Sequence, residues 1–133
     1  LGESWSDDRV ILAWDHIQHS NAQLDPGSDV VLHEFAHQLD SESGSTNGAP
    51  YLMSKARYAR WSEIFLQEFA LLQKSAQHHS ASVIDHYGAT NPAEFFAVAT
   101  EAFFKKSVAL GQQHPALFAA LQEYYCVDPR EWQ

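Results

Sequence analysis

The sequence predicts one helix-rich α+β domain with a small sheet. Apolar residues recur at helical spacing in several segments, and a β-branched, aromatic segment near the start is typical of a strand. The 133 residues, of which 45% are hydrophobic, suit a single domain with one core. No internal repeat or linker divides the chain, so the predicted domain spans residues 1–133.

The first predicted elements are a strand and a helix. The segment RVILAW predicts a strand over 9–14. Pro26 and Gly27 then indicate a turn, and the apolar residues that follow it have the spacing of a helix over 30–40. The polar, glycine-containing segment 41–50 is expected to be a loop.

Three more helices are predicted further along the chain. The segment 58–73 carries its large apolar residues on one helical face. The segment 91–106 begins with Asn91, a good N-cap, followed by a proline at the first helical position, and it ends in two lysines. We expect Gly111 to interrupt the helical chain and a last helix to cover 115–125.

The charge of the chain excludes some classes of partner. There are 17 acidic and 8 basic side chains, which give a formal net charge of −9. Such a surface repels phosphate backbones and anionic lipids, so we expect no direct binding of nucleic acid and no membrane association. The single Cys126 cannot form an internal disulfide, which fits the reducing cytoplasm.

The segment HEFAH, residues 33–37, predicts a metal site. On a helix, His33 and His37 lie one turn apart on the same face, where two neutral imidazoles bind one Zn²⁺ ion and leave other coordination positions open. Glu34 points away from that face and is placed to take a proton from a water molecule at the metal. The alternative is that both histidines are exposed polar residues of an amphipathic helix.

The third ligand that a catalytic zinc site needs is left open by the spacing. Glu94 and Glu101 are seven residues apart on one predicted helix and therefore point the same way. Glu94 has a competing explanation, because the third residue of a helix capped by Asn91 can bond back to the backbone. Glu101 has no such explanation. The other candidates for this ligand are Asp85, His86, His78, His79, His16 and His19.

Three segments resemble a known family. HEFAHQLD (33–40) and YGATNPAEFFAVATEAFF (87–104) look like the Mlc titration factor A family of zinc peptidases. The same two motifs are similar to the catalytic domain of anthrax lethal factor. ESWSDDRVILAWDHI (3–17) also resembles the strand that the family has just upstream. The resemblance implies a zincin-like fold of the gluzincin type.

The resemblance also implies roles for five residues. His33, His37 and Glu94 are the implied ligands of one zinc ion per chain. Glu34 is the implied general base, and Tyr87 the implied phenol that faces the reacting carbonyl. The implied activity is hydrolysis of a peptide substrate, associated in this family with aminopeptidases.

A partner and two departures come with the resemblance. The family binds the transcriptional repressor Mlc, a regulator of glucose uptake, so the alternative function is a repressor-binding module independent of catalysis. Family members are longer at the N-terminus and this chain begins with Leu1, so we expect a C-terminal fragment. Lethal factor has a further Glu where this chain has Val98, which leaves Glu101 or Asp40 as the carboxylate behind the ligands.

Two other kinds of metal site fit the sequence less well. A carboxylate-bridged di-iron bundle needs two Glu-x-x-His motifs, and the chain has only EFAH at 34–37. A purely structural zinc site would make both Glu34 and an open coordination position superfluous.

Overall fold

The described part of the protein is built from helices. A computed structural model describes residues 30–41 and 55–132, and 83% of these residues are helical. They contain no strand and no sheet, so the predicted α+β class is wrong and the described part is all-helical. The reason is that apolar residues in these segments follow helical spacing, without the alternation that a strand requires. The strand predicted over 9–14 lies outside the described residues.

Five α-helices and two 3₁₀ turns occur within these two ranges. The helices are α1 (Val30–Ser41), α2 (Lys55–Gln77), α3 (Pro92–Lys105), α4 (Ser107–Gln113) and α5 (Pro115–Tyr125). The first 3₁₀ turn, His86–Ala89, precedes α3, and the second, Pro129–Trp132, follows α5. None of the described helices combines the length and the apolar content needed to cross a membrane.

Four predicted helices are confirmed by α1, α2, α3 and α5, with small shifts at their ends. The expected break at Gly111 is wrong, because this residue lies inside α4. The chain leaves the helical conformation instead at Lys106 and at His114. His114 directly precedes Pro115, and a proline disfavours the helical conformation of the residue before it.

The centre of the fold is α3, in which every residue from Phe95 to Phe104 is buried. A helix that is buried on all sides has to be surrounded, and α1, α4, α5 and the first 3₁₀ turn pack against it. Aromatic rings connect α3 to α2 and to α5. The ring centroid of Trp61 in α2 lies 5.7 Å from that of Phe96 and 5.8 Å from that of Tyr124 in α5.

The start of α3 is fixed by Asn91. Its side-chain oxygen accepts a hydrogen bond from the backbone N–H of Glu94 at 2.9 Å, and Pro92 occupies the first turn, where a missing N–H costs nothing. This cap places Glu94 in the first turn of α3, beside α1. Glu101 follows two turns later on the same side of the helix.

Candidate metal centre

Three polar side chains from two helices converge on one point. His33 and His37 lie one turn apart on α1, and Glu94 comes from the first turn of α3. One donor atom of each residue lies within 4.8 Å of the other two. Oε1 of Glu94 is 2.9 Å from Nε2 of His33 and 2.7 Å from Nε2 of His37. The packing of α1 against α3 therefore creates the cluster from residues far apart in sequence.

The histidines lie at the boundary between the two faces of α1. Their side chains are 17% and 24% exposed, and Glu34 between them is exposed. Apolar residues on the core-facing side of α1 are buried and anchor the helix: Leu32, Ala36 and Leu39. The cluster is thus held by core packing and remains partly exposed to solvent.

Each ring nitrogen of His33 faces a carboxylate oxygen. Nδ1 of His33 is 2.5 Å from Oε1 of Glu101, and Nε2 faces Glu94. A neutral imidazole has one N–H, so donation to Glu101 leaves a lone pair on Nε2 directed at a carboxylate oxygen. That arrangement becomes favourable when a proton or a metal ion lies between the two atoms.

The donor set also fits a metal ion chemically. Two imidazole nitrogens and one carboxylate oxygen are the three protein ligands of several catalytic zinc sites, where a further position stays open for water or substrate. His33, His37 and Glu94 supply this set from atoms that already face one another. These residues therefore lie close enough to hold a metal ion without a change of fold.

The pKa values of His33 and Glu94 are shifted in the directions expected for a cation site. Burial disfavours the charged form of His33, but hydrogen bonds with Glu101 and Glu94 outweigh it and raise the pKa of His33. Burial alone would raise the pKa of Glu94, yet hydrogen bonds with Tyr87 and the two histidines outweigh it and lower the pKa of Glu94. Both shifts favour a negative carboxylate next to a positive charge.

Glu101 lies behind His33, on the side of the ring away from Glu94. Its side chain is 7% exposed and its contact with Nδ1 fixes the orientation of the imidazole. A carboxylate in this place is typical of metal-binding histidines. The sequence spacing left both glutamates open as the third ligand. The structure distinguishes them, because of the two only Glu94 contacts the Nε2 atoms of both histidines. Asp40 is fully buried in α1, and Nδ1 of His37 is buried with no hydrogen-bond partner among the described residues.

Tyr87 lies at the exposed rim of the cluster. Its hydroxyl donates a hydrogen bond to Oε2 of Glu94 at 2.7 Å, and its ring centroid is 6.0 Å from that of His33. The side chain is 52% exposed. The hydrogen bond to the carboxylate raises the pKa of the Tyr87 phenol. The structure therefore brings four of the five predicted site residues together, namely His33, His37, Glu94 and Tyr87, and Glu34 lies exposed beside His33 on α1.

The other described candidates for the third ligand lie outside this cluster. Asp85 accepts a hydrogen bond from the backbone N–H of Tyr87 at 2.8 Å and caps the first 3₁₀ turn. Nε2 of His86 lies 3.2 Å from Oγ of Ser75. The remaining candidates are exposed just after α2 or lie outside the described residues: His78 and His79, and His16 and His19.

Gly88 contributes to the site, although no role was predicted for it from the sequence. It is buried in the first 3₁₀ turn, where an added Cβ would overlap Cγ2 of Val98 and lie 3.1 Å from Leu72. The missing side chain lets the turn lie directly on α3 and carries Tyr87 to Glu94. The signal that could have revealed it is a glycine next to a candidate site tyrosine and just before a helix cap, which indicates a close backbone approach.

Comparison with a protein-family model identifies a relationship over most of the chain. The model described as glucose-regulated metallo-peptidase M90 matches residues 1–126. This match covers both segments that form the cluster.

Curated proteins from several bacteria are similar over nearly the whole chain. The uncharacterized protein slr2042 of Synechocystis sp. is 45% identical over 129 residues, which cover 96% of this chain and 47% of that protein. Mlc titration factor A of Pectobacterium atrosepticum is 32% identical over 139 residues, covering 99% of this chain and 51% of that protein. Mlc titration factor A of Klebsiella pneumoniae is 34% identical over 130 residues, which cover 96% of this chain and 48% of that protein. The chain spans about half the length of the curated relatives it matches.

Proposed function

The chain belongs to the glucose-regulated metallo-peptidases of family M90, and we propose that it hydrolyses peptide bonds with a zinc ion held by His33, His37 and Glu94. The family resemblance inferred from the sequence is thereby confirmed. The observation that carries the proposal is the convergence of three donor atoms within 4.8 Å on a partly exposed surface. A donor set of two imidazoles and one carboxylate favours a catalytic site over a structural one, because structural zinc is usually enclosed by four protein ligands.

The proposed ligand atoms are the ones that face one another. His33 and His37 contribute Nε2, and Glu94 contributes Oε1. Glu101 keeps the His33 ring oriented by accepting its Nδ1 hydrogen bond. When bound, a zinc ion supplies a Lewis acid that polarises a carbonyl and lowers the pKa of a neighbouring water to about 7.

Glu34 is the proposed general base. It is exposed on α1, adjacent in sequence to His33, and its carboxylate is not one of the groups that join the histidines to Glu94. It is thus accessible to accept the proton of the attacking water and to return that proton to the leaving amine. A positioned acid–base group contributes roughly 10²–10⁴-fold to a reaction rate.

Tyr87 is the proposed donor to the carbonyl oxygen as that oxygen becomes negative. Its hydroxyl lies at the open side of the cluster and is directed toward the donor atoms. The pKa of Tyr87, raised by its hydrogen bond with Glu94, keeps the phenol protonated at neutral pH and able to donate. A donor aimed at a developing oxyanion stabilises the transition state more than the substrate.

The more specific form of this proposal is an aminopeptidase that acts on peptides in the cytoplasm. It is supported by the family resemblance of the HEFAHQLD and YGATNPAEFF segments rather than by a binding site for a free amine. The reaction products distinguish the alternatives, because an aminopeptidase releases single residues from the N-terminus and an endopeptidase releases internal fragments.

A second candidate function is binding of the repressor Mlc. It is favoured by the name Mlc titration factor A that several relatives carry. The net charge of −9 also suits attraction to a basic DNA-binding partner. Binding that persists after His33 and His37 are both replaced by alanine would establish a role that does not require the metal.

The test of the peptidase proposal uses the purified chain. Its metal content is measured by elemental mass spectrometry, and peptides with free or acetylated N-termini are offered as substrates. We expect one zinc ion per chain and hydrolysis that stops after chelation and returns when zinc is added. A chain that holds no metal, or one that hydrolyses peptides equally well after chelation, contradicts the proposal.

A further inference from the structure

The two carboxylate oxygens of Glu94 have separate partners. Oε1 faces both imidazoles, at 2.9 Å from Nε2 of His33 and 2.7 Å from Nε2 of His37. Oε2 accepts the hydroxyl of Tyr87 at 2.7 Å. With an ionised carboxylate as acceptor, this hydrogen bond is charge-assisted and stronger than one between neutral groups. One oxygen thus faces the metal-binding side and the other is held by a phenol.

The backbone on both sides of this hydrogen bond is fixed. The N–H of Glu94 is bound by the side chain of Asn91 at 2.9 Å, and the N–H of Tyr87 is bound by the side chain of Asp85 at 2.8 Å. Gly88 lets the 3₁₀ turn that carries Tyr87 lie against α3. The hydroxyl is therefore delivered to Oε2 by two capped elements in contact, and its position does not depend on the exposed ring alone.

We propose that Tyr87 is a positioning residue for Glu94, whose hydroxyl holds Oε2 and leaves Oε1 as the single atom that this carboxylate presents to the metal. The inference rests on the proposed function of the same site and assigns Tyr87 a task beyond donation to the substrate. A carboxylate binds a metal ion through one oxygen or through both. Binding through both would occupy a coordination position that a catalytic site keeps for water and substrate.

The single proton of the phenol links the two tasks of Tyr87. A hydroxyl has one O–H, so donation to Oε2 of Glu94 and donation to a substrate oxygen are alternatives. Without substrate, the hydroxyl stays on Glu94 and keeps the coordination position open. When a substrate carbonyl oxygen becomes polarised beside the phenol, the same hydroxyl turns to that oxygen. The substrate then occupies the coordination position, so Oε2 of Glu94 no longer has to be kept away from it.

The experiment reads the coordination of Co²⁺ bound to the chain in place of zinc. Its visible absorption depends on the number and geometry of the ligands, so it reports the binding mode without any assay of activity. The parent chain is compared with Tyr87→Phe, which removes the hydroxyl and keeps the ring. Tyr124→Phe is the matched control, because it removes a tyrosine hydroxyl in the aromatic cluster around Trp61.

We expect Tyr87→Phe to bind Co²⁺ and to give a weaker absorption band shifted to shorter wavelength, as expected for a higher coordination number. The control should give the band of the parent chain. Circular dichroism verifies that both variants keep their helical content. A Tyr87→Phe spectrum that superimposes on the parent spectrum overturns the inference, and so does loss of Co²⁺ binding by the folded variant, because Tyr87 is assigned to the mode of binding.

The same measurements separate this inference from the proposed function. A parent chain that binds no Co²⁺ refutes the metal site itself. A parent chain that binds Co²⁺ but hydrolyses no peptide in its zinc form contradicts the peptidase proposal, and the comparison of spectra still decides the role of Tyr87.

Discussion

The carboxylate of Glu101 lies 2.5 Å from Nδ1 of His33, on the opposite side of the imidazole from Glu94. Two glutamates of one helix therefore contact the two nitrogens of one histidine. The contact with Glu101 fixes the orientation of the His33 ring. The contact with Glu94 places a carboxylate oxygen next to His33 that also contacts the imidazole of His37. The two glutamates consequently have unequal importance for metal binding.

Replacement of Glu94 should weaken zinc binding far more than replacement of Glu101. Glu94→Ala removes a proposed ligand, whereas Glu101→Ala removes a partner of a ligand, a change that typically costs about 10–100-fold in affinity. Titration of both folded variants with zinc in competition with a chelating dye measures the difference. The reverse order would move the third ligand to Glu101.

Glu34→Gln should retain zinc and lose most of the hydrolysis. The amide cannot accept the proton of the attacking water, so kcat should fall by roughly 10²–10⁴-fold, the usual contribution of a general base. Glu63→Gln, which neutralises an exposed glutamate on α2, is the control and should hydrolyse like the parent. Equal rates for Glu34→Gln and the parent would show that the base is another residue.

Gly88→Ala should destabilise the chain because the added methyl overlaps Val98 and crowds Leu72. Forcing a methyl into a packed site costs about 1–3 kcal/mol, measured as the free energy of unfolding in urea. Gly111→Ala is the control, because its Cβ meets mainly the flexible side chain of Arg130, and alanine is favoured over glycine inside a helix by roughly 0.5–1 kcal/mol. Equal effects of the two substitutions would contradict the close approach at Gly88.

Two buried hydroxyls should respond to removal in opposite ways. Oγ1 of Thr100 is 2.9 Å from the hydroxyl of Tyr125, so Thr100→Val leaves that hydroxyl buried without this partner and should cost about 1–3 kcal/mol of unfolding free energy. Oγ of Ser107 is buried and has no hydrogen-bond partner within residues 30–41 and 55–132, so Ser107→Ala should be neutral or stabilising. Denaturant unfolding of both variants gives the comparison, and a larger loss for Ser107→Ala would contradict it.

Sequence alone predicted four of the five described helices and the shared face of His33 and His37 on α1, because these depend on local spacing. The contact between Glu94 and His37 joins residues 57 positions apart, and no periodicity specifies which glutamate of α3 reaches across. Only the resemblance to a family selected Glu94 over Glu101. The all-helical class of the described residues was missed because the predicted sheet rested on the segment 9–14, which lies outside them. Gly111 was misjudged because its helical conformation is decided by packing rather than by propensity.

The packing of α1 against α3 has a consequence for the energetics of the chain. An ion bound by residues of both helices would cross-link them only while they pack together. Its binding free energy would therefore add to the free energy of unfolding. Chelation should then lower the melting temperature, and cleavage by an added protease should increase first around α1. In the proposed site, affinity for the ion and resistance to unfolding are therefore linked, and a substitution that lowers one should lower the other.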